Sequence, residues 1–213
     1  MQAQSLRFEE VSISAKPVLD QSLRADFTTS AKTAIFRSGA SAPIKVLLDK
    51  HLFAVGSCIN FGKGKYDFDT SAIAQQSGHC VGYDYTWNPD LDLIGSCYDY
   101  LYSGYVVNTL PPKARDYVWH QMAECVRGIA FVAARTDKIR GSECEDGVLT
   151  SINTFQKSYQ KNQLCSEASN YFKHVVEIKG KAGFSIVACS QYPLPERVLK
   201  HSSCCFGRRG VRK

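Results

Sequence analysis

No run of about 20 apolar residues occurs, so nothing in the sequence reads as a membrane-spanning helix. The chain opens Met1-Gln-Ala-Gln-Ser-Leu-Arg-Phe-Glu-Glu, without the apolar core of a secretory signal, and the cytoplasm is the expected location. CxxC pairs are absent although there are nine cysteines. An odd number, in a chain of 213 residues long enough to bury its own core, argues against a disulfide framework. Cys58, Cys80, Cys125 and Cys189 sit in apolar runs, where a thiol behaves as a small core residue. Cys204 and Cys205 are adjacent and badly placed to share one metal ion, the five histidines are scattered, and no metal is expected. There is no internal repeat and no low-complexity block. At 44% hydrophobic and 22% charged, the composition excludes a disordered or fibrous chain.

Charge is present in modest excess, 26 basic against 20 acidic residues, net +6. Lys200, Arg208, Arg209, Arg212 and Lys213 crowd towards the end. Such a tail can neutralise phosphates and draw a protein to nucleic acid, and it can equally be a solvated tail. Residues 1–30 read as an irregular arm or added strand, 31–190 as the body and 191–213 as the basic tail.

Within the body, Ser41 and Pro43 mark a helix start, and Ile44, Leu47 and Leu48 form its inward face. An apolar run from Val55 to Phe61 meets Gly62-Lys63-Gly64; a helix follows from about Tyr66 to Ser77, closed by Gly78; a second apolar run ends in Asp84. Strand, glycine turn, helix, strand and acid is the plan of a nucleotide-binding βαβ unit. Gly62 and Gly64 let backbone N–H groups approach a ligand, and Asp84, 22 residues after Gly62, suits the ribose hydroxyls. Asp67 suits the positive end of the helix. Tyr98 to Asn108 reads as a buried strand and loop, Pro111 and Pro112 open a helix to about Arg127 ended by Gly128, and Ile129 to Arg135 is a buried strand. Residues 136–152 read as a polar loop and Thr154 to Tyr171 as a helix. Phe172 to Lys179 and Ala182 to Cys189 form a closing hairpin. The sum is a three-layer α/β sandwich.

Three segments resemble one family. They are Asn60-Phe-Gly-Lys-Gly-Lys-Tyr-Asp67, Tyr102-Ser-Gly-Tyr-Val-Val-Asn108, and Asp146-Gly-Val-Leu-Thr-Ser-Ile-Asn-Thr-Phe-Gln-Lys-Ser-Tyr159. The family is the S-adenosylmethionine-dependent methyltransferases associated with DNA phosphorothioation loci, with its DYGCGxGxD turn, GYVLN segment and DGxLTxxxTFQKxY segment. Lys32-Thr-Ala-Ile-Phe-Arg37, Ser41 and Pro43 also look like its upstream motif, and the likeness covers roughly residues 30–190. The sequence departs from the pattern at Asn60, where the family has an acid, at Lys63 and Lys65, and at Tyr66, which stands for the third glycine.

The resemblance implies a Rossmann-like class I methyltransferase sheet with its last strand antiparallel, S-adenosylmethionine as cofactor, a DNA acceptor, and protein partners in a modification system. The expected cofactor contacts are Asn60, Gly62, Gly64, Asp84 and Tyr85, joined by Asp99 and Tyr102 where the next strand is expected to end. Tyr105 and Asn108 fall to the methyl acceptor. Gln156, Lys157 and Tyr159, with Arg208 and Arg209, are candidate nucleic-acid contacts. Asn108-Thr-Leu-Pro-Pro is not the signature of amino-methylating DNA enzymes, and the Pro-Cys nucleophile of cytosine-C5 methylation is missing. Two readings compete: a degenerate member that binds without catalysis, favoured by Asn60 and Tyr66, and a nicotinamide-dependent oxidoreductase using the same glycine turn.

Overall fold

Alternation along the strands sets the layers. In β1 (Gly56–Phe61), Ile59 and Phe61 enter one core while Cys58 enters another on the opposite face of the sheet. The computed structural model describes residues 19–203; residues 1–18 of the expected arm, and Arg208 and Arg209 of the tail, lie outside the described residues. Before β1 come helices α1 (Gln21–Ala31) and α2 (Ala42–Asp49). After it follow α3 (Phe68–Ser77), β2 (Gly78–Tyr83), the short α4 (Leu91–Ile94), β3 (Tyr98–Gly104) and a 3-10 turn at Val107–Thr109. Then come α5 (Pro112–Cys125), β4 (Val126–Arg135), β5 (Ser142–Cys144), β6 (Gly147–Leu149) and β7 (Phe155–Gln156). The chain closes with α6 (Gln163–Ala168), β8 (His174–Ile178), β9 (Phe184–Ser190), α7 (Glu196–Leu199) and β10 (Ser202–Ser203).

Seven strands form one sheet in the order β10-β8-β9-β4-β3-β1-β2. β2, β1, β3 and β4 are mutually parallel; β9, β8 and β10 pair antiparallel. The expected α/β sandwich with a closing antiparallel hairpin is therefore the observed architecture. α1, α5 and α6 cover one face through residues such as Phe27, Trp119 and Leu164, and α2, α3 and α7 cover the other through Leu47, Ile73 and Val198. No described helix is long and apolar enough to cross a membrane.

Several expectations are corrected. Residues 21–31 are neither irregular nor a strand: Asp20 accepts the Leu23 N–H at 2.8 Å, caps a helix, and Leu23 and Phe27 enter the core. The body continues past residue 190, because β10 pairs with β8. Gly128 does not end α5; it lies inside β4 at a register irregularity, where a Cβ would come within 2.1 Å of the Asp99 carbonyl oxygen. The 136–152 loop contains a hairpin, β5–β6, which β7 extends to a three-stranded sheet. The predicted 154–171 helix is absent. Thr154 and Phe155 are buried, β7 occupies 155–156, and only Gln163–Ala168 is helical. Gln156 and Lys157, two of the polar residues that break its helical periodicity, are buried partners rather than part of a solvated face.

Those partners form a charge cluster. Arg115 and Lys157, 5% and 4% exposed, both reach Asp146. Arg115 also meets Glu167 at 3.0 Å, and Lys157 lies 3.7 Å from it. The Trp119 indole and the Tyr159 hydroxyl donate to Glu167 at 2.7 and 2.8 Å. Burial alone would raise the Asp146 carboxyl, but hydrogen bonds from Lys157 and Arg115 outweigh it and hold the pKa below the usual range. The cluster pins the three-stranded sheet to α5 and α6. Lys157→Met leaves Asp146 and Glu167 one cation short, so a loss of about 3 kcal/mol is expected in urea unfolding at pH 7. Because the Asp146 pKa is depressed in the fold, its contribution is present above about pH 4 and disappears as pH falls through the folded value. The gap between variant and wild type should therefore shrink in acid. A loss below about 1 kcal/mol at pH 7, the scale of a surface pair, would show that the cluster does not hold the insert.

Candidate functional site

Because β1, β2, β3 and β4 run parallel, their carboxyl ends open on the same edge of the sheet. A cavity of about 510 Å³ lies along that edge. It runs from Asp84 and Tyr85 after β2, past Gly62 and Gly64 after β1 and Gly104 to Val106 after β3, to Arg135 and Asp137 after β4. Residues between Ser30 and Ala42, which join α1 to α2, wall the other side.

The glycine turn is held by the backbone. The Gly62 and Lys63 N–H groups both donate to the Tyr83 carbonyl, at 2.8 and 3.0 Å, and the Gly64 N–H donates to Asp84 Oδ2 at 2.9 Å. The expectation that the glycine amides await a ligand is corrected: they close the turn. What the glycines supply is room. Gly62 sits at φ 75°, and a Cβ there would come within 2.2 Å of Val106 Cγ2.

Asp84 ties two turns together, since its other oxygen accepts from the Thr86 and Trp87 N–H groups at 2.9 and 3.0 Å. A carboxylate offers about four lone-pair sites, so one on Oδ2 stays open beside the cavity. Tyr85 also lines it, stacked on Phe27 with centroids 3.9 Å apart, and its hydroxyl is buried with no hydrogen-bond partner among the described residues. Tyr66 forms part of the wall, edge-on to Phe36, and does not fill the crevice. Asp67 stands at the N-cap of α3 without a capping bond and pairs instead with Lys63 at 2.9 Å.

Three expected cofactor contacts lie elsewhere. Asn60, on the strand face opposite Ile59 and Phe61, is 1% exposed and donates to Thr70 of α3 at 2.9 Å. Tyr102, also buried, alternates with Leu101 into the core beneath α2, where its hydroxyl is 3.2 Å from Ser41 Oγ. Asp99 is at the wrong end of its strand: β3 begins at Tyr98, so Asp99 lies level with Ser57 at the amino edge. There Arg127 and the Ser57 N–H and hydroxyl lower its pKa to about 2. The local spacing misled because the acid precedes the strand's apolar stretch rather than following it.

Among the expected acceptor residues, Tyr105 and Asn108 both line the cavity. Tyr105 takes φ 62°, its N–H held by the Ala133 carbonyl at 2.8 Å. Burial pushes its hydroxyl pKa up, so it stays protonated at neutral pH. Asn108 makes two long contacts, to the Arg135 N–H at 3.4 Å and to Gln156 Oε1 at 3.5 Å. Gln156 also reaches the cavity; Lys157 and Tyr159 do not, being buried in the charge cluster described above. The expectation of a helix start presenting all three is corrected: β7 ends at Gln156, and beyond it Lys157 and Tyr159 turn to Asp146 and Glu167. Arg37, Arg135 and Asp137 line the cavity without having been singled out as site residues. The Lys32–Arg37 motif upstream of the glycine turn was the available signal for Arg37.

No protein-family model matches the sequence, and no curated protein matches it. Solved structures do. A 1,6-didemethyltoxoflavin-N1-methyltransferase from Burkholderia thailandensis, crystallised with 1,6-didemethyltoxoflavin and S-adenosylhomocysteine, superposes with TM-score 0.55 over 78% of this chain and 85% of that one, at 14% identity. The PH0226 protein from Pyrococcus horikoshii gives 0.50 over 70% and 87%, at 12% identity. PigF with SAH gives 0.50 over 70% and 54%, at 11% identity. The fold is the Rossmann-like class I methyltransferase fold. At such identities the likeness is one of fold, and function has to be argued from the cavity.

Proposed function

We propose that this protein is an S-adenosylmethionine-dependent methyltransferase. The observation that carries the reading is the open cavity with Asp84 at one end and Tyr105 at the other, passing the glycine turn on which Val106 packs directly. Two of the similar structures, the toxoflavin enzyme and PigF, were crystallised with S-adenosylhomocysteine or SAH, which supports the choice of cofactor.

The residues present fit that group. Asp84 has a free lone pair for a ribose hydroxyl, and Tyr85, Trp87 and Lys65 line the far end where an adenine ring would lie. When bound, the cofactor supplies a methyl group already activated by the sulfonium charge. The chain's task is then positioning, holding the acceptor nitrogen or oxygen about 3 Å from that carbon and in line with it. Tyr105 and Asn108 are placed for this at the carboxyl end of β3. A protonated Tyr105 donates or accepts a hydrogen bond but does not act as a base at neutral pH. The loosely held Asn108 amide can exchange its long internal contacts for shorter ones to the acceptor.

The finer reading is that the acceptor is DNA. Support comes from the net charge of +6, from the family resemblance of the sequence, and from the arginines and half-exposed Trp87 around the cavity. Of the expected body contacts, Gln156 alone remains available for a base edge.

Isothermal titration with S-adenosylhomocysteine should show saturable binding, and Asp84→Asn should weaken it by roughly tenfold or more. NADH should give no saturable signal. Absence of heat with S-adenosylhomocysteine would remove the methyltransferase reading. For the acceptor, electrophoretic shifts of duplex and single-stranded DNA should weaken steeply with salt. No shift, or one insensitive to salt, would count against DNA while leaving the cofactor result intact.

A further inference from the structure

The amino-acid end of the proposed cofactor is a zwitterion, and the residues considered so far leave its carboxylate without a partner. A carboxylate brought into a half-enclosed cavity needs charged donors to replace water. Its position follows from the order of the strands. Ribose at Asp84 sits over β2, the methyl group has to face Tyr105 at the end of β3, and strands are about 4.8 Å apart. The amino-acid end therefore lies past the glycine turn, towards the 30–42 wall and away from Asp84.

Four cations line the cavity: Arg37, Lys63, Lys65 and Arg135. Lys63 is paired with Asp67 at 2.9 Å, and its aliphatic chain packs over Gly82. Lys65 lies at the opposite end, 5.6 Å from the Trp87 ring centroid and 5.9 Å from that of Tyr66. Arg135 is engaged by both oxygens of Asp137, through Nε at 2.9 Å and Nη2 at 2.5 Å. Arg37 differs from all three. Its charged contact is Asp69 at 3.6 Å, beyond hydrogen-bond range. Asp69 itself is 6% exposed, and its Oδ1 accepts the Ser41 N–H at 2.6 Å. Asp69 thus fixes the segment that carries Arg37 and steadies the guanidinium by charge, while its N–H fork has no hydrogen-bond partner among the described residues.

We infer that Arg37 binds the carboxylate of the cofactor's amino-acid end through its guanidinium fork. The inference rests on the methyltransferase reading and adds a residue to it. A planar fork matches a carboxylate with two parallel bonds, which an ammonium cannot reproduce. Arg37 is accordingly a specificity residue: it distinguishes a nucleoside that carries an amino-acid tail from one that does not.

The test compares two ligands that share adenosine and thioether. S-adenosylhomocysteine carries the amino-acid carboxylate; 5′-methylthioadenosine lacks it. With the full-length protein, calorimetry on Arg37→Gln should show S-adenosylhomocysteine weakened roughly 10- to 100-fold, and 5′-methylthioadenosine unchanged within about twofold. Arg37→Lys should fall between, since it keeps the charge and loses the fork. Unchanged methylthioadenosine binding also shows that the variant is folded. Equal losses for both ligands would mean that Arg37 only shapes the cavity, and the inference would be wrong. Undiminished S-adenosylhomocysteine binding in Arg37→Gln would overturn it as well. A wild-type protein that binds neither ligand would overturn the methyltransferase reading first and this one with it.

Discussion

Three backbone amides converge on one carboxylate at the lip of the sheet, and the cavity's shape follows from that convergence. Asp84 receives N–H groups from Gly64 in the turn after β1 and from Thr86 and Trp87 in the turn after β2. The Tyr83 carbonyl adds two more bonds to the same glycine turn. Parallel strands alone would leave two independent loops at their carboxyl ends. The shared carboxylate makes them one rigid rim, with the glycine backbone as its floor. Because Gly62 has no Cβ, Val106 can pack directly against that floor, and the chain after β3 is drawn in beside it. Tyr105 and Asn108 owe their places to this closeness.

A second constraint works from the opposite flank. Arg115, Asp146, Lys157 and Glu167 hold the β5–β7 insert against α5 and α6, and the insert in turn sets Gln156 beside Asn108. The Lys157 N–H donates to the Asn108 carbonyl at 2.7 Å, so the buried cluster and the acceptor end of the cavity share a backbone bond. Residues that looked like a surface for phosphate contact are instead the support behind a surface. Their chemistry, long cationic and aromatic side chains, serves either purpose, and only burial separates the two.

Much of the sheet was legible in the order of residues. Val55 to Phe61 is a mostly apolar run and Ile129 to Ala134 a continuous one, the kind that marks a strand covered on both faces. Gly62, Gly64 and Asp84 stand out because glycine and a terminal acid break those runs at the strand ends. What local pattern could not convey was which side a side chain takes. Asn60 and Tyr102 belong to the right strands, yet alternation sends both into the core under α2 and α3. Asp99 depended on knowing where β3 begins. The helix expected over 154–171 failed because Lys157 and Tyr159 find their partners, Asp146 and Glu167, through tertiary contacts that no short window contains. The Gly128 ending of α5 failed for a related reason, since that glycine answers to the neighbouring Asp99 carbonyl rather than to its own helix.

The most direct measurement is a crystal structure of the protein grown with S-adenosylhomocysteine. One ribose hydroxyl should lie within about 2.6–3.2 Å of Asp84 Oδ2, with the sulfur beside the Gly62 turn and facing Tyr105. A nucleoside seated away from Asp84, or a cavity that closes on Tyr66 and admits none, would contradict the proposed site.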